Sequence, residues 1–140
     1  MKKQFLIFSF CLLLLSCSQT RLTSSHSKKM KTLYIDDFKL TYLQKCLIRG
    51  FNNSEEIRNI IYNDHSGFSE NLFTLEDYNI IDSFVKIDNE IMVRDSANSM
   101  GRVAEGAEGK RVLSYALYRY QSKWLDSLAK ARWKLSKGNF

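Results

Sequence analysis

The sequence predicts an all-α protein: a single compact domain of four to six helices that follows an N-terminal signal and a flexible tether. The 140-residue chain contains no proline, so the commonest cause of helix interruption is missing. Apolar residues recur at helical spacing in five segments, whereas no segment alternates apolar and polar residues with the period of a strand. About 110 residues remain for the domain, which is enough for one modest core.

The first two predicted helices are short and amphipathic. Asp36 and Asp37 favour the start of a helix over 38–50, because negative charge stabilises a helix N-terminus. The predicted core-facing residues of this helix are Leu43, Cys46, Leu47 and Gly50. Asn53 and Glu56 fit a capping box for the second helix. The core-facing residues of the second helix are expected to be Ile57, Ile60 and Ile61.

The third predicted helix has the longest apolar stripe and is expected to be central. Thr74 is its predicted N-cap, with Asp77 at the third helical position. Its stripe consists of Ile80, Phe84, Ile87 and Ile91, widened by Ile81, Val85 and Met92. A fourth helix is expected to start near Lys110, and Ser122 is expected to cap a fifth. Their core-facing residues are predicted to be Leu113, Ala116, Leu117 and Tyr120, then Trp124, Leu128, Ala131 and Leu135.

Residues 96–109 are predicted to form a loop. This segment holds three of the six glycines of the chain and only scattered apolar residues. Loops of this length within a compact domain are usually functional or disordered. Glu105 and Glu108 make its far end acidic, and Arg102 lies near its middle.

The N-terminus has the pattern of an export signal. Lys2 and Lys3 precede an apolar run over 5–15, which is too short for a transmembrane helix. The run ends in Leu-Leu-Ser-Cys17, which resembles the lipobox of bacterial lipoproteins. The resemblance implies cleavage before Cys17, acylation of that cysteine with fatty acids such as palmitate, and a membrane anchor facing the periplasm. Ser18 favours the outer membrane by analogy. The alternative is an ordinary signal peptide that contains a cysteine.

The predicted organisation is therefore a signal peptide over 1–16, an acylated cysteine and polar tether over 17–34, and a helical domain over 35–140. Loss of residues 1–16 removes two lysines and no acid, so the formal charge falls from +6 to +4. This mild excess does not favour nucleic acid as a partner, although it is compatible with an acidic protein or an anionic membrane surface. Cys46 is the one cysteine left in the domain, so an intramolecular disulfide is not expected.

Catalytic and cofactor-binding patterns are weak. A nucleophilic pair would have to combine Cys46 with His65, but Cys46 lies on an apolar stripe, where a buried inert thiol is the commoner outcome. No spacing of metal ligands occurs. The end of the glycine-rich segment fails the phosphate-loop pattern, because Arg111 stands where serine or threonine is required. The sequence thus predicts a protein that is not an enzyme and holds no metal or cofactor.

Three short blocks resemble the immunity proteins of type VI secretion amidases. The block over 116–126 (ALYRYQSKWLD) matches the family's helix–Ser–helix segment at Tyr120, Ser122 and Leu125. Lys45-Cys46-Leu47 is similar to its cysteine-containing first helix, and Asp64-His65-Ser66-Gly67 to its Asp-x-Ser segment. One departure is Ala116, which stands where the family has a second cysteine.

The resemblance implies a helical periplasmic protein, in many cases a homodimer, that inserts a protruding loop into the active-site cleft of a cell-wall amidase. The residues assigned to that loop are Met100, Gly101, Arg102, Glu105 and Glu108. The alternative for the loop is that it is merely mobile. Two other functions stay open: a structural or accessory envelope lipoprotein that binds proteins through a helical surface, and a small-ligand carrier with a pocket between helices.

Overall fold

The computed structural model describes residues 2–66, 72–101, 104 and 108–136, with side chains from His26 onwards. These residues form five helices and no strand, which confirms the all-α fold class. The helices are α1 (Lys2–Gly50), α2 (Glu55–Tyr62), α3 (Leu75–Ser99), α4 (Val112–Gln121) and α5 (Lys123–Ser136). Two compact units are distinguished, Met1–Leu33 and Tyr34–Phe140.

In the first unit, α1 is already helical from Lys2. The polar segment 18–31, which was expected to be a flexible tether, therefore belongs to a helix. The physical reason is the lack of a helix breaker, since the first glycine of the chain is Gly50 and proline does not occur. The side chain of Cys17 lies outside the described residues, so its acylation stays a prediction. In the described part of the chain, no helix combines the length and apolarity needed to cross a membrane.

The second unit is a bundle of helices. Residues 34–50 of α1 run in the same direction as α3, because Tyr34 lies beside Phe73 just before α3 and Gly50 lies near Met92 towards its end. The segment formed by α4 and α5 runs in the opposite direction, from Val112 near Gly50 to Trp133 near Tyr34. At one end of this unit, the Tyr34 ring lies 5.3 Å from that of Phe73 and 5.4 Å from that of Trp133. At the other end, the last residue of α1, Gly50, lies against Val112 at the start of α4.

At this end of the unit, the backbone of Gly50 packs closely against the side chain of Val112. A Cβ atom at this position would overlap Cγ1 of Val112. Only glycine therefore lets the end of α1 and the start of α4 lie so close. The predicted burial of Cys46 and Gly50 in the first helix is confirmed, while Leu43 and Leu47 are half-buried.

The buried side of α3 is rotated by part of a helical turn from the predicted core face. Its buried residues are Asp77, Ile81, Val85, Asp88 and Met92. Ile87, expected in the core, is 48% exposed, whereas Ile80, Phe84 and Ile91 are half-buried. Two aspartates occupy the buried side because arginines from other helices neutralise them. A pattern that counts only apolar residues therefore places the stripe towards the wrong side.

The predicted faces of α4 and α5 are also partly wrong. Ala116 is buried as expected, but Val112 is its buried neighbour, and Leu113 and Leu117 are exposed. On α5 the buried residues are Leu125, Ala129, Arg132, Trp133 and Ser136. The residues predicted for that core face, in contrast, are exposed or half-buried: Trp124, Leu128, Ala131 and Leu135.

The helix caps were predicted better than the faces. Thr74 and Asp77 form the expected capping box at the start of α3, and Ser122 accepts the Leu125 N–H at 3.2 Å. For α2 the prediction of Asn53 is wrong, because φ is +57° there and an N-cap needs an extended backbone. Ser54 caps the helix instead.

Helix α2 also contradicts its predicted core face. None of its residues is buried, and Ile60 is exposed, while Ile57 and Ile61 are half-buried. The helix is thus held by few contacts of its own with the bundle.

Candidate functional site

The loop predicted over 96–109 begins later than expected. Helix α3 continues to Ser99, so the connection between α3 and α4 comprises residues 100–111. Met100 is exposed, and Gly101 has a φ of +70°, which favours glycine. The Gly101 N–H donates to Oε1 of Glu108 at 3.3 Å, so the two ends of this part of the connection lie close together. Arg102 and Glu105, both assigned to the inhibitor loop, lie outside the described residues.

The outward side of α4 carries three large apolar side chains, which we call the α4 face. Leu113 is 58% exposed, Leu117 is 43% exposed and Tyr118 is 69% exposed. The opposite side of the same helix is anchored by Val112 and Ala116, both of which are buried. A short helix therefore presents apolar residues to both the core and the solvent, and a concentration of exposed apolar residues is typical of an interaction surface.

A buried carboxylate beneath α4 fixes the orientation of this helix. Asp88 of α3, which is 1% exposed, accepts hydrogen bonds from the hydroxyl groups of Tyr42 at 2.8 Å and Tyr115 at 2.9 Å. Arg119 of α4 donates Nη2 to Oδ1 at 2.6 Å and Nε to Oδ2 at 2.9 Å. We call these four residues the Asp88 cluster. It joins α1, α3 and α4 through one side chain.

Arg119 is further held by aromatic rings. Its guanidinium carbon lies 4.7 Å from the centre of the Trp124 ring and 5.6 Å from that of Tyr115. Such stacking supplies cation–π attraction and shields the ion pair from water. Because Arg119 and Tyr115 both point towards Asp88, the residues on the other side of α4 must point outwards. The Asp88 cluster is thus the physical reason for the exposed α4 face.

Burial and the neighbouring Asp88 carboxylate keep the Tyr115 hydroxyl and the Cys46 thiol protonated. Burial raises the pKa of Tyr115 to about 12, and its hydrogen bond to Asp88 and the charge of that carboxylate act in the same direction. Burial raises the pKa of Cys46 to about 12, and Asp88 adds to the rise while Arg119 opposes it. A thiol of this kind is not an activated nucleophile. The interpretation of Cys46 as a buried free thiol is confirmed.

A groove lies beside the α4 face, between the end of α3 and the start of α4. Its volume is about 430 Å³, which falls within the range of small-ligand sites. Its walls include Asp95 and Ser99 from α3 and Arg111, Ser114 and Tyr118 from the start of α4. Tyr115 connects the groove with the Asp88 cluster, since its ring lines the groove and its hydroxyl group donates to Asp88.

A second buried carboxylate lies at the opposite end of the bundle. Asp77, which is fully buried, accepts Nε of Arg132 at 2.7 Å and the backbone N–H of Thr74 at 2.9 Å. Nη1 of Arg132 also donates to the exposed Glu76 at 3.1 Å. We call these four residues the Asp77 cluster. The Tyr34 hydroxyl is buried beside it and makes no hydrogen bond within the described part of the chain.

The residues behind the family resemblance have local structural explanations. Ser122 caps α5, Leu125 is buried, and Tyr120 lies under Lys39, whose Nζ is 4.9 Å from the ring centre. Oδ1 of Asp64 accepts the backbone N–H of Ser66 at 3.1 Å, which closes a turn. These two blocks are therefore used by this fold for packing, for capping or for closing a turn, whatever further role they have.

Sequence reasoning missed the Asp88 cluster. The available signal was an aspartate at position 88, within the apolar stripe of α3 and three turns after Asp77. Charged residues are seldom buried without a partner. An aspartate within the apolar stripe therefore indicates a basic partner from another part of the chain. In the described residues, no group of three or more potential ligands could hold a metal ion.

Comparisons with protein-family models, with curated proteins and with solved structures gave no significant match.

Proposed function

We propose that this chain is a protein-binding module of the bacterial cell envelope, and that it binds through the α4 face and the adjoining connection 100–111. The observation that carries the proposal is the exposure of Leu113, Leu117 and Tyr118 on one helix whose opposite side is bonded to Asp88 through Tyr115 and Arg119. Large apolar side chains on a preorganised surface favour association, because little conformational freedom is lost on binding.

The partner we propose is a cell-wall amidase effector, which makes the chain an immunity protein. This choice rests on the resemblance of three sequence blocks and on the lipobox-like N-terminus, which would put the module in the compartment where such a toxin acts. The connection 100–111 would enter the amidase cleft, with Glu108 available to meet basic groups at its rim. Glu108 is exposed and lies beside the base of the connection.

The binding surface can be tested with two matched leucines. Leu117 on α4 and Leu135 on α5 are both exposed, and the latter is 72% exposed. The experiment co-expresses the chain with a candidate cell-wall amidase from a neighbouring reading frame and measures complex formation by pull-down. Leu117→Lys is expected to weaken the complex at least about tenfold, since a central interface residue commonly contributes 1–2 kcal/mol or more. Leu135→Lys is expected to leave it unchanged. Equal effects of the two substitutions would contradict the assignment of the α4 face.

The inhibitor loop needs a separate test. Shortening the chain between Met100 and Ala107 is expected to abolish protection of cells that receive the amidase, while the folded helices keep their circular dichroism signal. Protection by the shortened protein would show that the connection is not the inhibitory element. A homodimer, which the resemblance also implies, is assessed from the mass of the isolated chain by light scattering.

A second candidate is an accessory envelope lipoprotein that joins two other proteins. The observation in its favour is α2, which buries none of its residues and exposes Ile60 and Tyr62. Lys110, two residues before α4, donates to Asn52 before α2 at 2.6 Å, so α2 and the start of α4 belong to the same end of the bundle. This function predicts co-purification of membrane proteins and no protection from an amidase.

A further inference from the structure

We propose that the groove between α3 and α4 is a binding site for a short zwitterionic ligand, such as a di- or tripeptide with a free ammonium group and a free carboxylate. This inference is independent of the amidase hypothesis. It rests on the size of the groove, on the charges of its two walls and on the position of Tyr115, which is fixed by its hydrogen bond to Asp88.

The two walls carry opposite charges. Asp95 stands on the α3 wall and Arg111 on the α4 wall, and within the described residues neither side chain makes an ion pair. Elsewhere in this protein, the buried acids and bases are paired across helices. Two unpaired opposite charges that face the same groove are suited to a ligand that carries both charges itself.

The helix ends reinforce this polarity. The α3 wall is formed by the last turn of its helix, where backbone carbonyl groups give a partial negative charge. The α4 wall is formed by the first turn of its helix, and the N-cap residue Arg111 makes no side-chain capping hydrogen bond. Backbone N–H groups at a helix N-terminus favour a carboxylate. A ligand with its ammonium group towards Asp95 and its carboxylate towards Arg111 is therefore aligned with both dipoles.

The remaining lining suits a peptide rather than a bare ion pair. Ser99 and Ser114 supply hydroxyl groups, while Tyr115 and Tyr118 supply aromatic surface. Tyr115 is fixed by its hydrogen bond to the buried Asp88, so one wall is preorganised before a ligand enters. Small-ligand sites combine hydrophobic or aromatic surface with a few placed polar groups, and here Met92, Tyr115 and Tyr118 supply that surface.

The test uses the full chain in detergent micelles and alanine peptides as probes. Ala-Ala and Ala-Ala-Ala are titrated up to about 10 mM, a range that detects weak sites, and amide shifts of Gly109 and Ser114 are followed by NMR. N-acetylated and C-amidated forms of the same peptides each lack one charge. Each blocked form is expected to bind about two- to fivefold more weakly, as for an exposed ion pair, and the difference should shrink at high salt.

Two exposed substitutions assign the charges to their residues. Asp95→Asn is expected to remove the difference between free and acetylated peptides, and Arg111→Gln the difference between free and amidated peptides. Leu117→Lys, which changes the α4 face, should leave peptide binding intact. The proposal is overturned if the free peptides cause no saturable shifts, or if they bind no more tightly than the blocked forms. It is also overturned if both substitutions leave the discrimination unchanged.

Discussion

The Asp88 cluster and the Asp77 cluster both bury an aspartate of α3 against an arginine from α4 or α5, but they differ in what surrounds the pair. Asp77 belongs to a helix cap, and its arginine has a second acid, Glu76, at the surface. Asp88 lies in the middle of α3 and is the only acid bonded to Arg119 in the described chain. The Asp77 cluster closes an end of the bundle, whereas the Asp88 cluster sets the rotation of α4 and so creates the exposed face.

Removal of the two carboxylates is expected to give the largest difference between the clusters. Asp88→Ala leaves a largely buried arginine and two tyrosine hydroxyls without their acceptor, which should lower the free energy of unfolding by about 3–5 kcal/mol. Asp77→Ala should cost less, about 2–3 kcal/mol, because Arg132 retains Glu76 and the main losses are a cap and its hydrogen bonds.

Urea unfolding followed by tryptophan fluorescence measures both costs. Trp124 lies beside Arg119, and Trp133 lies 5.4 Å from the Tyr34 ring, so each cluster has a reporter nearby. Asp126→Ala is a suitable control, since its ion pair with Lys130 is between partly exposed side chains and should contribute less than about 0.5 kcal/mol. A larger cost for Asp77→Ala than for Asp88→Ala would reverse the proposed ranking.

Two buried tyrosines, one beside each cluster, should also differ in what they contribute to stability. The buried Tyr42 hydroxyl donates to Asp88, so Tyr42→Phe should lower the free energy of unfolding by about 1.5–3 kcal/mol, as for hydrogen bonds to charged groups. Among the described residues the buried Tyr34 hydroxyl has no hydrogen-bond partner, and Tyr34→Phe should be neutral or slightly stabilising. Thermal unfolding of the two variants in parallel checks this. Equal destabilisation would mean that the Tyr34 hydroxyl has a partner in solution.

Acid should lower the free energy of unfolding through protonation of Asp77. Burial alone would raise the pKa of Asp77, but hydrogen bonds from the Thr74 backbone, Arg132 and the Thr74 side chain outweigh it, and the pKa is lowered. A lowered pKa in the folded state means that its contribution is complete above the ordinary aspartate pKa of about 3.9 and is lost as the pH falls below it.

The free energy of unfolding of the parent protein should therefore decline through that acid range, and the decline should be smaller in Asp77→Asn. Denaturant titrations at a series of pH values provide the measurement. An identical pH dependence in the two proteins would show that Asp77 does not contribute through its ionisation.

Local features of the structure were predictable from the sequence because they depend on neighbouring residues. Thr74 and Ser122 were identified as caps, since a capping hydrogen bond reaches only two or three residues along the chain. The faces of the helices were not predictable in the same way. The placement of Asp88 depends on Tyr42, Tyr115 and Arg119, which come from two other helices, and no periodicity within α3 contains that information.

The same limit explains the α4 face. Leu113 and Leu117 fit an apolar stripe with Ala116 and were therefore assigned to the core, although they are exposed. The rotation of α4 is decided by Arg119 and Val112, whose contacts lie on α3 and on the end of α1. The inhibitor loop was chosen for its length and glycine content. Met100 and Glu108 are exposed, their role stays a prediction, and the start of the loop was placed too early because α3 continues to Ser99.

Hydrogen exchange of the α4 backbone amides in Asp88→Asn tests most directly whether the Asp88 cluster holds the α4 face in place. Asparagine keeps the shape of the side chain but removes the charge that pairs with Arg119. We expect much faster exchange in Val112–Gln121 than in the parent protein, with little change near the Asp77 cluster. Unchanged protection of α4, or an equal loss of protection at both ends of the bundle, would contradict it.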